Sequence, residues 1–360
     1  MSQTAVFRME RIGLVMEPDP SIPEEMEGTL NPAIARDPDG TLYMFPRIVG
    51  KKNYSRVGIA RVRFDDAGAP VGVERLGYAL EPEEEYELRP EEKTGGCEDP
   101  RVTFIEPLGL YAMTYSAWGP HGPRIAVAIS EDLMQWRRLG IVDFDMATDL
   151  LYGVEFDEYH NKDAAIFPRA VTAPDGTESL AMIHRPVYTE DDVPHGVADL
   201  RPSMWISYLP LEAVRSDIVE LTRWGQSSVL IDPEYPWEEL RIGGGTQPVL
   251  TPLGWVLLYH GASGTIPLDP SVPKQVRYSA GVLVLDEHDL SRVLYRSAMP
   301  VLEPETPDET EGMVNDVVFP EGSDLREDGT IDVYYGMADS RIGAARLWLP
   351  ENLPPAKWAR

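Results

Sequence analysis

The sequence predicts an all-β fold, a five-bladed β-propeller that takes in residues 1–360 as one domain, and three observations point there. A strand-rich unit recurs five times, its first strands centred near Leu42, Tyr111, Ala181, Val256 and Val333. A spacing of roughly 70–77 residues marks a repeat architecture. Helix evidence is thin, since only stretches such as Glu131–Trp136 and Leu211–Val214 suit single turns and neither sustains a 3.6-residue period. Five units that cannot each bury both faces alone are stabilised by stacking radially.

The elements follow in chain order. The opening strand, AVFRMERIGLV, has no partner nearby and is read as completing the last blade, so that the ring closes. The copies are TLYMFPRIVG with SRVGIARVRF, LYAMTYSAWG with PRIAVAIS, LAMIHRPVY with SMWISYL, WVLLYHGA with YSAGVLVL, and DVYYGMADS with RIGAARLWL. Between them RVTFI, AAIFPRAV, QPVLT and NDVVFP read as further strands bounded by Gly, Pro and Asp. The charge run at 81–92, EPEEEYELRPEE, reads as a solvated loop. Residues 350–360, PENLPPAKWAR, read as an extended strap.

Composition removes several functions. The 32 Lys and Arg against 60 Asp and Glu give a net charge of −28, which argues against nucleic acid or an anionic membrane as partner. Cys97 is the single cysteine, so neither a disulfide framework nor a Cys-based zinc site is available. The six histidines have no H-x-H or H-E-x-x-H spacing, which speaks against a dedicated metal site. The start lacks the apolar core of a signal peptide, and no later run could span a bilayer, so the expected location is cytoplasmic.

Propeller ligands bind where loops from several blades converge. Polar residues at that point of successive repeats are Asn31, Arg47, Asp99, Arg124, Lys162, Arg185, His260, Tyr278 and Asp339. Cations gathered in an acidic chain suggest an anionic ligand or a paired acid. In GGCEDPRVTF, Gly95 and Gly96 allow tight turns and Pro100 stiffens the chain, so Glu98 and Asp99 stand at a strand entrance. A carboxyl partly desolvated there is expected to keep a raised pKa and act as general acid, or else to be a turn Asp bonding nearby amides. Lys162 and Asp163 precede a strand, where an exposed surface pair is the plainer reading. Alternation allows only one of His184 and Arg185 to face the channel. The run Gly243–Gly245 lacks the helix of a phosphate loop and reads as close strand packing, and Cys97 as a small residue near the site.

Taken together, these segments resemble glycoside hydrolase family 130, the mannoside phosphorylases and related β-mannosidases. The resemblance runs from EGTLNPAIARDPDG through GGCEDPRVTF, KDAAIFP, MIHRP and GWVLLYHG to NDVVFPEG and YYGMADSRIG. It implies a five-bladed propeller that inverts configuration, with inorganic phosphate as co-substrate, no cofactor, and α-mannose 1-phosphate as product of a β-mannoside. Asp99 would be the acid, protonating the leaving oxygen through a sugar hydroxyl. Lys162, Arg185 and His260, with Tyr278, would hold phosphate. Asn31, Arg47, Asp163 and Asp339 would hold the sugar, and Arg124 sugar or phosphate. Arg169 stands where an acidic residue is expected, and the stretch between Asp143 and Asn161 is long.

A phosphorylase of this kind needs Lys162, Arg185 and His260 close to Asp99 and not neutralised by adjoining acids. An inverting β-mannosidase would instead need a carboxylate base for water. An arabinan- or xylan-cleaving propeller would need three carboxylates from separate blades, and a non-catalytic glycan-binding propeller would turn nothing over. Trp and Tyr in the loops suit either an acceptor platform or an interface between copies of the chain.

Overall fold

The computed structural model describes residues 7–89, 94–144, 160–187, 197, 199–267 and 275–354. The predicted opening strand therefore begins its described part at Phe7. The long stretch after Asp143 is described only at its edges, and the strap from Pro355 onward lies outside the described residues.

The chain is all-β, and its described residues hold one six-residue α-helix, Leu211–Ser216, a four-residue one, Pro307–Thr310, and a few 3-10 turns. Glu131–Trp136 forms bends rather than a helical turn. Its strands fall into five successive antiparallel units. The first is Gly28–Arg36, Leu42–Gly50, Tyr54–Phe64 and Pro70–Leu80. The second is Gly95–Ile105, Leu110–Gly119, Gly122–Ser130 and Arg137–Ile141. The third is His160–Ile166, Glu178–Val187, Met204–Pro210 and Arg223–Ile231. The fourth is Arg241–Gly244, Gly254–Thr265, Gln275–Leu285 and Val293–Arg296. The fifth joins Val318–Leu325, Ile331–Met337 and Arg341–Trp348 to the opening strand Arg8–Met16, which pairs antiparallel to Arg341–Trp348. The strand pairs read from the sequence are the second and third strands of each unit.

The first strand of each unit contacts a neighbouring unit, and the fifth returns to the first through Gly28–Arg36. A short parallel pairing, Tyr54 with Gly95 and Ser55 with Gly96, merges the first two units into one eight-stranded sheet. Gly96 is needed there: its φ is +119°, and a Cβ would stand 2.2 Å from the Ser55 carbonyl oxygen. Residues on facing sheets make the core, as where Ala112, Ile125 and Val127 of the second unit share one cluster with Ile166, Met182, Trp205 and Trp224 of the third. No helix among the described residues is long and apolar enough to cross a membrane.

Among the described residues, four units repeat a polar clip that the sequence reading missed. A buried glutamate in the short turn before the first strand accepts hydrogen bonds from backbone N–H groups a few residues upstream. It is then gripped by an arginine from the unit's outermost strand. The pairs are Glu25 with Arg75, Glu87 with Arg138, Glu238 with Arg296 and Glu309 with Arg11. Each arginine also donates to a nearby carbonyl, of Glu17, Glu81, Asp232 and Glu303 respectively. In three units a tyrosine hydroxyl, from Tyr115, Tyr259 or Tyr335, completes the shell. Glu87 belongs to the charge run expected to be a solvated loop. That expectation is corrected at this residue, because the arginine, tyrosine and amide partners compensate a fully buried carboxylate.

Candidate active site

A cavity of about 590 Å³ opens where the first strands converge, lined by Asn31, Arg47, Asp99, Lys162, Arg185, His260, Tyr278 and Asp339 among others. These eight predicted residues come from all five units. The local device that shapes the site at three points is a β-bulge. The register slips at Leu30–Ala33, Glu98–Arg101 and Lys162–Ala165, and each slip contains one residue in the left-handed region: Asn31 at φ 45°, Asp99 at 48° and Asp163 at 59°. Asn and Asp tolerate that region better than other side chains, and a bulge re-aims the side chain it carries.

Asp99 is the hub. Its Oδ1 accepts from Asn31 Nδ2 and from Arg47 Nη1, each at 2.9 Å, while Oδ2 lies 3.3 Å from Lys162 Nζ. Arg47 Nη2 also donates to Glu98 Oε1 at 2.7 Å and to Asn53 Oδ1 at 2.9 Å. Beneath them, the fully buried Arg101 donates to the carbonyls of Asp99, Gly244 and Gly245. Its Nη1 stands 2.9 Å from Glu321 Oε1. Burial opposes the Asp99 charge, but Arg47, Lys162 and Arg101, with the Asn31 hydrogen bond, outweigh it and hold the carboxyl well below the usual range. The expectation of a raised pKa at Asp99 is thus corrected. Burial instead lifts the neighbours: Asp339 is raised to about 6, Glu98 is raised, and Glu321 is raised well above the ordinary value.

On the far side of Asp99, Arg185 Nε donates to Asp163 Oδ2 at 2.5 Å, and His260 Nε2 lies 3.7 Å from the same oxygen. Asp163 is therefore behind the wall, buried and held ionised by Arg185, and does not line the cavity as a sugar ligand would. Gly243 makes this packing feasible, since a Cβ there would come within 2.3 Å of Asp163 Oδ2 and 2.5 Å of His260 Cε1. Strand alternation resolves as anticipated. Arg185 faces the cavity, and His184 is buried against Phe144, bonded to Asn161 and Ser207.

Two further expectations are corrected. His260 is not a cation: burial drops its pKa to about 3, with Arg185, Arg101 and Arg241 opposing a second positive charge. Both its ring nitrogens lack a hydrogen-bond partner among the described residues, so the neutral ring is free to donate to a ligand. Arg124 does not reach the cavity. It lies on the third strand of its unit, opposite Ala117 and two strands removed from the centre. The cations are also partly compensated, Lys162 by Asp99 and Arg185 by Asp163.

Arg241, not foreseen from sequence, adds a cation to the wall and donates to the Tyr278 hydroxyl. It stands at the start of the fourth unit's first strand, and taking the residues that open each first strand would have reached it. Phe319, stacked on His260 with centroids 4.4 Å apart, and the 312–315 turn complete the rim. Arg169 is exposed and pairs with Glu106, away from the cavity. Cys97 is buried in the second unit's core, and burial pushes its thiol up.

Residues 5–353 match the sequence model of the Glyco_hydro_130 family, described as beta-1,4-mannooligosaccharide phosphorylase. A 1,2-beta-oligomannan phosphorylase of Thermoanaerobacter sp. (strain X514) is 33% identical over 288 residues, 76% of this chain and 79% of that protein. In fold, the chain is similar to the beta-1,2-mannobiose phosphorylase of Listeria innocua solved with beta-1,2-mannobiose (TM-score 0.68, 22% identity, 94% of this chain and 96% of that one). It is also similar to a structure described with GH130 glycoside hydrolases that target beta-1,2 mannosidic linkages in Candida mannan (TM-score 0.69, 23% identity, 99% and 98% covered).

Proposed function

The chain belongs to the Glyco_hydro_130 family, and from that premise we propose that it is an inverting phosphorylase of β-mannosides. The five units are read as blades of one closed propeller, with the cavity on its axis. One observation carries the reaction. Among the described residues lining the cavity the carboxyls are Asp99 and Asp339, and the same lining presents Lys162, which pairs with Asp99, together with Arg185, Arg241, Tyr278 and neutral His260. Such a wall suits a phosphate dianion, which needs donors and positive charge rather than a general base. Asp163 is no base for water, because Arg185 covers and pairs it.

In this reading the mannosyl ring rests on Asn31, Arg47 and Asp339, with the leaving oxygen toward Asp99. Phosphate between Lys162, Arg185 and Arg241 draws positive charge away from Asp99, so its pKa rises and it can carry a proton. A phosphate oxygen attacks the anomeric carbon as the glycosidic bond breaks. Asp99 releases its proton, through a sugar hydroxyl, to the departing oxygen, and α-mannose 1-phosphate results. The Thermoanaerobacter relative's name puts β-1,2-mannobiose first in a panel that also holds the β-1,4 isomer.

The test is to incubate these disaccharides with and without phosphate. Mannose 1-phosphate formed only in its presence supports the reading, and free mannose at a rate indifferent to phosphate overturns it. Hydrolysis is the second reading, favoured by one observation: Asp339, with its pKa near 6, is the remaining lining carboxyl that could activate water. Asp99→Asn should abolish turnover and keep mannoside affinity, because a carboxamide cannot donate the proton. A glycan-binding protein without activity would show no turnover before the substitution either.

A further inference from the structure

We propose that a basic groove at the 50–54 hairpin of the first unit is a distal acceptor subsite that selects a sugar carrying a negative charge. It rests on the phosphorolysis reading and deepens it. The groove, about 750 Å³, lies between the hairpin at 50–54 and residues 88–89, and its lining includes Lys51, Lys52, Arg56 and Arg89 with the carboxylate of Glu24, while Arg56 also pairs with Glu81 at 3.2 Å. In a chain with a net charge of −28, such a concentration of cations attracts anions where the rest of the surface repels them. Tyr54 adds a flat ring to the wall, with the Arg56 guanidinium 4.9 Å from its centroid. An aromatic face beside cationic donors suits a sugar ring with an anionic substituent.

Its position in the reaction follows from the two oxygens of Asp99. Oδ2 faces Lys162, on the side of the proposed phosphate wall, and Oδ1 faces Asn31 and Arg47 of the first unit. Inversion puts nucleophile and leaving group on opposite faces of the anomeric carbon. With the mannosyl ring resting on Asn31 and Arg47, the acceptor extends past these residues of the first unit toward its junction with the second. The groove is at that junction: Asn53, next to Lys52, contacts Arg47 and Glu98, and residues 88–89 lead toward the strand that carries Asp99. Backbone amides of Lys52 and Asn53 both donate to Glu27, at 2.7 and 2.8 Å, which fixes the hairpin tip that presents the two lysines.

The experiment runs the reaction in the synthetic direction, with α-mannose 1-phosphate as donor and phosphate release as readout. Acceptors are mannose, mannose 6-phosphate and glucuronate, so the phosphate and carboxylate forms of the anion are separate arms. At low salt one charged acceptor is expected to exceed mannose in kcat/KM by about tenfold, the advantage shrinking as the Debye length falls to ~3 Å in 1 M salt. In a Lys51→Glu, Lys52→Asn double variant the charged-to-neutral ratio is expected to drop toward one. Asn suits the left-handed backbone at position 52, where φ is 65°, and an unchanged melting midpoint verifies the fold. Equal use of all three acceptors, or an advantage indifferent to salt and to the double variant, overturns the subsite alone. No phosphate release with any acceptor overturns phosphorolysis and the subsite with it.

Discussion

Asp99 and Asp339 share one cavity yet titrate in opposite directions, because Asp99 has Arg47, Lys162 and Arg101 around it while burial dominates at Asp339. The pH dependence should therefore come from Asp339. Above pH about 6 its carboxylate accepts a sugar hydroxyl, and below that it is protonated. Mannoside kcat/KM is expected to fall about tenfold per unit on the acid side, with Asp339→Asn removing that inflection. The same shift has a stability sign: the folded state binds the proton more tightly, so stability falls as pH rises from the ordinary 3.8 toward 6. Asp339→Asn should flatten that slope in urea titrations. Arg241→Gln should raise the phosphate KM about tenfold, the loss of one charge-assisted contact, with a smaller effect on the mannoside KM. Residue types at the site were legible in the sequence, since Asn31, Arg47, Asp99, Lys162, Arg185, His260, Tyr278 and Asp339 all reach the cavity. Their charge states were not, because the neutral His260 and the ionised Asp99 depend on which side chains from other units surround them.

The glutamate clip links the turn that begins a unit to the strand that ends it. Truncation at one clip, Glu87→Ala, strips the Tyr115 hydroxyl and the Arg138 guanidinium of a partner and leaves two backbone amides unsatisfied. A loss of about 3–5 kcal/mol is expected, visible as a lower midpoint in thermal or urea unfolding. Little change there would mean that the clip is incidental to the fold. In the sequence these turns look like acidic surface, IPEE, EEYE, YPWE and TPDE, and the arginines that bury them lie some 50 or more residues away, or nearly 300 in the case of Arg11. A charge run cannot disclose so distant a partner. The strand pairs were readable because their apolar alternation is local.

At the scale of the whole molecule, a surplus of 28 negative charges sets the surface against itself, so moderate salt should raise the unfolding midpoint by screening that repulsion. The opening strand is the other global feature, since it supplies both the fourth strand of the fifth unit and Arg11 to the Glu309 clip. A variant lacking residues 1–16 should lose several degrees of thermal stability, and one that melts like the full chain would refute a closing role. The register of that strand also bears on biosynthesis. Arg8 is translated 340 positions before its mate Trp348. Until then the amino-terminal ribbon has an unsatisfied edge, and premature termination anywhere upstream would release a product with an open seam that proteases or a second nascent polypeptide could seize.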